Sequence, residues 1–153
     1  MPKKTIKKPL RPKRPVKRTS RRVVLRTRPG SEKGKAKALT IVHAALDKKA
    51  ITPVVLDIRQ LSSYADYLVV MSGNSERHVR AIAQSIKDAL RKEHQLALGS
   101  EPGAQWTLLD FGDVVVHIFD EPARDFYRLE SFWIDAPRIP LSKSVLSHPR
   151  IAL

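Results

Sequence analysis

Apolar residues recur at helical spacing in two stretches of the chain and predict two long helices. The first is expected over residues 35–49 and the second from just after Ser75 to about residue 94. A serine at that position can accept a hydrogen bond from a backbone N–H of the first helical turn, so Ser75 is the predicted cap. The residues predicted to face the core are Ala36, Leu39, Val42, His43, Leu46 and Ala50 for the first helix, and Val79, Ile82, Ala83, Ile86 and Leu90 for the second.

Short and almost entirely apolar runs predict the strands of a sheet. A turn at 110–113 is expected between the last two strands, a loop at 96–104, and a short helix from about 122 to 133. Continuously apolar strands indicate a sheet that is covered on both faces. The pattern therefore predicts one compact α/β (α+β) domain with a mixed sheet of four to five strands flanked by helices. The predicted strands are 54–59, 67–72, 106–109 and 114–119.

Charge divides the chain into three parts. Residues 1–35 hold 15 Lys or Arg and one acid, so they carry the whole formal charge of +14. Residues 36–94 hold 9 basic and 6 acidic side chains, while residues 95–135 hold 2 basic and 8 acidic ones. With five prolines before residue 30 and few apolar residues, the basic part cannot bury enough surface to fold alone. We expect a disordered basic tail (1–34), a folded domain (35–139) and a C-terminal extension (140–153).

The basic tail has three interpretations that composition leaves open. A polycation binds RNA phosphate through counterion release, which favours a nucleic-acid-binding or ribosome-binding arm. A solubilising extension and an organellar presequence are the alternatives. Neither a secretion signal nor a run of apolar residues long enough to span a membrane is present in the sequence, so the cytoplasm is the expected compartment and an organelle the alternative. The tail residues predicted to contact RNA are Arg11, Lys13, Arg14, Lys17, Arg18, Arg21 and Arg22.

The search for catalytic chemistry yields two weak candidates. Asp110 and Asp113 could hold magnesium as paired carboxylates, although Asp and Gly are also ordinary turn residues. Residues 72–75 form a strand–turn–helix junction that could bind an anion, but they lack the lysine of a P-loop. His117 alternates with Val116 and Ile118 along a predicted strand, so it is interpreted as a structural histidine. No histidine pair has metal-ligand spacing, and the chain has no cysteine. We therefore expect no enzyme activity, no metal and no cofactor.

Residues 104–136 combine aromatic rings with carboxylates and are typical of a protein–protein contact. Trp106 opens a predicted strand beside a polar loop, where it could be either a core residue or an interface anchor. Rigid rings dominate interface energies, and the surrounding charges set orientation and encounter rate. The segment therefore predicts docking onto a basic surface.

Three motifs together resemble the ribosomal silencing factor (RsfS/Iojap-like) family. They are VVLDIRQLSSYADYLVVMSGNSERHVRAIA (54–83), WTLLDFGDVVVHIF (106–119) and ARDFYRLESFWIDA (123–136), in the order found in that family. The resemblance covers about residues 36–138. It implies a nucleotidyltransferase-like fold that lacks the catalytic carboxylates. Pro102 departs from the family pattern, which more often has Glu-Gly directly before the tryptophan.

The resemblance also implies a function and a contact surface. Family members bind the large ribosomal subunit through its protein L14, block association with the small subunit, and so repress translation under nutrient limitation. Contact between the tail and ribosomal RNA is a further expectation, a homodimer of the free protein is left open, and no membrane partner is expected. The alternatives are an RNA-binding ribosome-assembly factor and a nucleotidyltransferase-like enzyme. The motifs match the family's partner-binding residues at Trp106, Leu108, Asp110, Asp113, Tyr127 and Glu130.

Overall fold

The computed structural model describes residues 31–142. Residues 1–30 and 143–153 lie outside this range, and with them the seven tail residues predicted to contact RNA and most of the predicted C-terminal extension. The described elements are α1 (Ser31–Leu46), β1 (Ile51–Asp57), β2 (Tyr67–Gly73), α2 (Glu76–Lys92), β3 (Gly99–Glu101), β4 (Trp106–Asp110), β5 (Val114–Asp120), α3 (Glu121–Tyr127) and α4 (Leu129–Phe132).

The strands form one mixed sheet in the order β1-β2-β5-β4-β3. The central strands β2 and β5 run parallel to each other, and all the other neighbours pair antiparallel. Every residue of β2 is buried, as is all of β5 except Asp120, because both faces of the sheet centre are covered. The predicted α+β domain with a mixed sheet is therefore confirmed, with five strands.

Two separate cores lie on the two faces of the sheet. Helices α1 and α2 cover one face and form the larger core with alternate residues of β2, β4 and β5. On the other face, α3 packs over β5 and β2, while the chain after α4 runs back along β1. This second layer covers only part of its face, so the β4 side chains that point the same way are just partly buried. That uncovered part holds most of the predicted contact residues.

The prediction for α2 is confirmed. Ser75 is its N-cap and accepts a hydrogen bond from the backbone N–H of His78. Leucine and isoleucine at helical spacing define one apolar stripe, and charged residues occupy the other faces. Only one face of the helix can therefore pack against the sheet. The buried residues are Val79, Ile82, Ala83, Ile86 and Leu90, as predicted.

The prediction for α1 is wrong in its start and in most of its buried face. The helix begins at Ser31, so four residues assigned to the tail are helical. Of the predicted core residues Val42 and Ala50 are buried, whereas Ala36 is exposed and Leu39, His43 and Leu46 are partly buried. Apolar residues lie almost all round this helix, and the sheet selects the side with the smallest residues because it permits the closest approach. The buried residues of this helix are Gly34, Ala38, Ile41, Val42, Ala44 and Ala45.

The two edges of the sheet also differ from prediction. β1 begins at Ile51, three residues early, and its register shifts between Ile51 and Val54. Pro53 within the irregular part is tolerated because β1 is an edge strand, where a missing N–H breaks no ladder. At the opposite edge, β3 lies inside the segment predicted to be a loop; its residues, Gly-Ser-Glu, carry no apolar signal.

The C-terminal part of the domain is broken into short elements. Arg128 adopts the left-handed conformation (φ 45°, ψ 48°), and this ends α3 before α4 starts. The predicted single helix over 122–133 is therefore two helices. Beyond them, Ile139 donates its N–H to Val55 O (2.8 Å), and Leu141 packs against the larger core.

Candidate functional site: a partly open surface on β4

Alternation along β4 separates its side chains into two sets. Thr107 and Leu109 point to the α1–α2 side and are buried. Trp106, Leu108 and Asp110 point to the opposite side, where each is partly buried. Three of the six predicted partner-binding residues therefore share one face of one strand, at the place where the second layer of helices stops.

Trp106 is held in place by ring contacts and by one hydrogen bond. Its Nε1–H donates to Nδ1 of His117 (3.0 Å) on the neighbouring strand. Its ring centroid lies 4.9 Å from those of Phe119 and Tyr127 and 5.6 Å from that of His117. Aromatic pairs at these separations add to the free energy gained from burial. The indole is consequently both a core side chain and part of the surface. The sequence left open whether Trp106 is a core residue or lies at the surface, and it is partly both.

His117 is the buried partner of this tryptophan. The residue is 6% exposed, and burial lowers the pKa of its imidazole from 6.5 to about 4. The ring is therefore neutral near pH 7 and offers an unprotonated Nδ1 to the indole N–H. This is the structural role predicted for His117.

A shallow hollow adjoins the tryptophan and carries negative charge at its rim. Its volume is about 340 Å³, and it is lined by Glu101, Pro102, Trp106 and Leu108. Burial, and after it the carboxylates of Asp110 and Glu101, raise the pKa of the Tyr64 hydroxyl. The hollow is thus mainly apolar with one carboxylate, that of Glu101, in its lining, and Asp110 points to the same side of β4 as Trp106 and Leu108. We call Glu101, Pro102, Trp106, Leu108, Asp110 and Tyr127 the β4 surface.

Asp110 and Asp113 have separate partners within the β4–β5 turn. The Asp110 carboxylate accepts the backbone N–H of Gly112 (2.8 Å), whose φ of +85° suits glycine. Asp113 pairs with Lys37 on α1 (2.5 Å). Within residues 31–142, three or more His, Asp or Glu side chains never come together in a way that could hold a metal ion. The turn interpretation of this pair accounts for both carboxylates.

Tyr127 and Glu130 occupy different environments on α3 and α4. Tyr127 is 43% exposed, and its ring is tilted by 48° against that of Trp106 and meets the ring of Phe126 edge-on. Glu130 accepts hydrogen bonds from Arg124 (Nε 3.1 Å, and a second from Nη2). Arg124 also donates to Thr52 O (2.8 Å) and to the carbonyl and hydroxyl oxygens of two further residues on β1 and β2. Tyr127 therefore belongs to the β4 surface, whereas Glu130 anchors the helical layer to the sheet.

The junction at 72–75 is closed by hydrogen bonds within the domain. His78 accepts the N–H of Asn74 at Nδ1 (2.9 Å), and its Nε2 contacts the carbonyl of Lys48 (2.5 Å). These bonds close the connection from β2 into α2. Glu101 and Pro102 were missing from the predicted site, since no sequence signal marked β3 as the strand beside β4.

A family model described as "Ribosomal silencing factor during starvation" matches residues 31–151. The chain belongs to the ribosomal silencing factor family. It is 43% identical over 103 residues to "Ribosomal silencing factor RsfS" of Bacillus subtilis, covering 65% of this chain and 86% of that one. It is also 35% identical over 114 residues to "Protein Iojap, chloroplastic" of Arabidopsis thaliana, covering 74% of this chain and 48% of that one.

A solved structure agrees with the ribosomal silencing factor fold described above. The crystal structure of a Chromobacterium violaceum protein superimposes with a TM-score of 0.64 at 31% identity, covering 71% of this chain and 91% of that chain.

Membership confirms the predicted family and gives the protein a ribosome-associated role in regulating translation. The family is named for silencing and not for an enzyme activity. Among the described helices none is long and apolar enough to cross a bilayer.

Proposed function

We propose that this protein binds the large ribosomal subunit through ribosomal protein L14 and sterically prevents the small subunit from joining. Translation is thereby repressed when nutrients are limiting. Family membership supports the ribosomal partner. The choice of L14 and the block of subunit association rest on the family resemblance together with the character of the β4 surface.

The observation that carries this proposal is the composition of the β4 surface. A fixed indole and a leucine line the hollow together with the carboxylate of Glu101, and Asp110 points to the same side of β4. Interface hot spots combine a well-packed aromatic anchor with a polar rim of this kind. Residues 95–135 carry six more acidic than basic side chains, so the partner should present lysine and arginine.

The six predicted contact residues take distinct roles in this proposal. Trp106 and Leu108 contact the partner, Asp110 orients it, and Tyr127 both contacts it and supports the indole. Asp113 and Glu130 act mainly by positioning, because each is engaged in an ion pair within the domain. No step in this mechanism requires catalysis or a cofactor.

Steric exclusion follows from the size of the domain. A compact body of roughly 110 residues has a radius of gyration of about 13 Å and a diameter on the order of 30 Å. Bound to the face of the large subunit that meets the small subunit, a domain of this size would keep the two subunits apart. Inhibition then needs occupancy alone.

Co-sedimentation with purified large subunits tests the contact. Leu108→Ala should weaken binding about tenfold or more, because it removes an apolar anchor while leaving the indole network intact. Asp110→Asn removes a charge but keeps an oxygen for the Gly112 N–H, so it should weaken binding a few-fold. Leu96→Ala and Asp88→Asn are matched controls, since both residues are exposed and lie outside the β4 surface.

Light scattering of mixed subunits tests the block. Saturating protein should lower the amplitude of subunit joining, and Leu108→Ala should restore it. Normal joining in the presence of saturating wild-type protein would reject the proposal, as would wild-type affinity of the Leu108→Ala variant. If Leu96→Ala weakened binding to large subunits as much as Leu108→Ala does, the loss would not be specific to the β4 surface, and that surface would not be the contact.

The compartment and the remaining partners stay predictions. We propose the cytoplasm, with an organelle as the alternative because plant relatives are named chloroplastic and mitochondrial. Imaging a C-terminally tagged protein in the source cell decides between them. We also propose that the basic tail contacts ribosomal RNA and that the free protein can form a homodimer.

A further inference from the structure

A second hollow lies on the α1–α2 side of the sheet, where α1 ends and α2 begins. Its volume is about 490 Å³, and Lys48, Lys49 and Arg77 are part of its lining. Asn74 and Ser75 contribute a side-chain amide and a hydroxyl, and none of the described residues that line it carries a carboxylate. We call these five residues the basic hollow.

The three cations of the basic hollow are exposed and are not neutralised by neighbouring acids. Among residues 31–142, no ion pair involves any of the three. The adjacent acid Glu76 pairs with Arg80, and Asp47 lines the neighbouring hollow between α1 and α2 instead. A concave surface with uncompensated positive charge attracts anions.

Hydrogen bonds hold the two halves of the basic hollow together. The His78 ring accepts the N–H of Asn74 at Nδ1 (2.9 Å), so its Nε2 carries the proton and donates to Lys48 O (2.5 Å). The end of α1 is thereby fixed to the start of α2. The backbone that carries the cations is therefore set before any ligand arrives.

The basic hollow lies at the same end of the sheet as Trp106. Ile51, which also lines the hollow, pairs with Ser72, and Ser72 pairs in turn with Phe119. Trp106 pairs with Phe119 from the other side. With strands about 4.8 Å apart, this row places Ile51 roughly 14 Å from Trp106. One large partner that meets this end of the sheet can therefore contact both the basic hollow and the β4 surface.

We propose that the basic hollow binds phosphate groups of ribosomal RNA while the β4 surface contacts a protein of the same subunit. Exposed cations hold a single small anion weakly because salt screens them, whereas a polyanion gains free energy from the release of its counterions. Serine and asparagine side chains accompany lysine and arginine at phosphate contacts. The protein contact at the β4 surface rests on the proposed function, but the RNA contact needs only a ribosomal partner.

A charge-removing triple variant and a matched control test the RNA contact. K48Q/K49N/R77Q removes the three cations; asparagine is used at Lys49 because this residue has a φ of 60°, which asparagine tolerates better than most residues. The control K33Q/K35Q/R91Q removes the same charge from exposed residues at the start of α1 and the end of α2. Both variants should unfold at the denaturant midpoint of wild type.

Co-sedimentation with purified large subunits at several salt concentrations measures the effect. The triple variant should bind about tenfold or more weakly at about 50 mM salt, and the slope of log affinity against log salt should become less steep by about 2, since each lost phosphate contact removes roughly 0.7–0.9. The control should keep the wild-type slope. Wild-type binding by the triple variant, or an equal change of slope in the control, would overturn the proposal.

Directed cleavage tests whether RNA lies at the basic hollow. The chain has no cysteine, so Asn74→Cys provides a single site for an iron chelate that generates hydroxyl radicals. In the complex with large subunits it should cut ribosomal RNA at one cluster of positions, and Glu93→Cys at the other end of α2 should not cut there. A complex that sediments intact without RNA cleavage from position 74 would refute the contact. Amide shifts at Lys49 and Arg77 with millimolar inorganic phosphate, combined with normal subunit binding by the triple variant, would identify a site for a small anion and likewise overturn the proposal.

The RNA contact and the proposed function can fail separately. If the triple variant loses affinity and salt dependence while Leu108→Ala binds large subunits normally, the basic hollow stands and the contact at the β4 surface fails. If Leu108→Ala loses binding while the triple variant keeps the wild-type slope, the β4 surface stands and the basic hollow fails.

Discussion

Replacing His117 by Asn should remove most of a pH-dependent loss of stability from this protein. In the fold the imidazole is 6% exposed, and burial lowers its pKa from 6.5 to about 4. Asn has an oxygen near the position of Nδ1, so it can still accept the indole N–H of Trp106, but it cannot take up a proton in this range.

The magnitude follows from the difference in proton affinity between the folded and unfolded chains. Because the folded pKa is the lower one, the unfolded chain binds the proton more tightly. The contribution of His117 to stability is therefore complete above about pH 6.5 and is lost as the pH falls to about 4. The full loss is roughly 3 kcal/mol, of which about 2 kcal/mol is gone at pH 5.

Denaturant unfolding at pH 7.5 and pH 5 measures this effect. Wild type should lose about 2 kcal/mol more than His117→Asn between the two conditions. His94→Asn serves as the matched control, because it makes the same substitution at an exposed histidine outside the core. The reasoning is refuted if His117→Asn loses as much stability on acidification as wild type does.

Two further substitutions test the supports of the site by the denaturant midpoint. Arg124→Ala should destabilise the fold by about 2–3 kcal/mol, because it leaves the Glu130 carboxylate without its ion-pair partner and removes the donor to carbonyls of β1. Arg128→Ala, at an exposed arginine, is the control. Equal effects of the two substitutions would contradict this role of Arg124. Ser75→Ala should cost about 1 kcal/mol by uncapping α2, whereas Ser75→Asp should largely preserve stability; a neutral Ser75→Ala would show that the cap contributes nothing.

The sequence predicts best where chemistry and periodicity agree. In α2 the large apolar residues form one stripe between charged faces, and a capping serine fixes the start, so bounds and buried face were both found. In α1 apolar residues lie on nearly every side, and only packing against the sheet selects Gly34 and Ala38. Which face of α1 packs against the sheet depends on how closely the helix backbone can approach the strands, and the spacing of apolar residues does not contain this information.

The candidate site was predicted in part for the same reason. Alternation along β4 places Trp106, Leu108 and Asp110 on one face from sequence alone. Glu101 could not be placed, because β3 is defined only by its pairing with β4 and has no apolar pattern of its own. Nor could Glu130 be separated from the contact residues, since its pairing with Arg124 depends on the break at Arg128.

The bond from Trp106 to His117 has a consequence for affinity. A large side chain that is mobile before contact gives up roughly 0.5–1.5 kcal/mol of rotational freedom when a partner immobilises it. Here folding has already fixed the indole between three rings and one acceptor. If Trp106 contacts the partner as proposed, the complex should dissociate slowly because this ordering cost has already been met. Replacing His117 would then shorten the lifetime of the complex, although the substitution lies behind the indole.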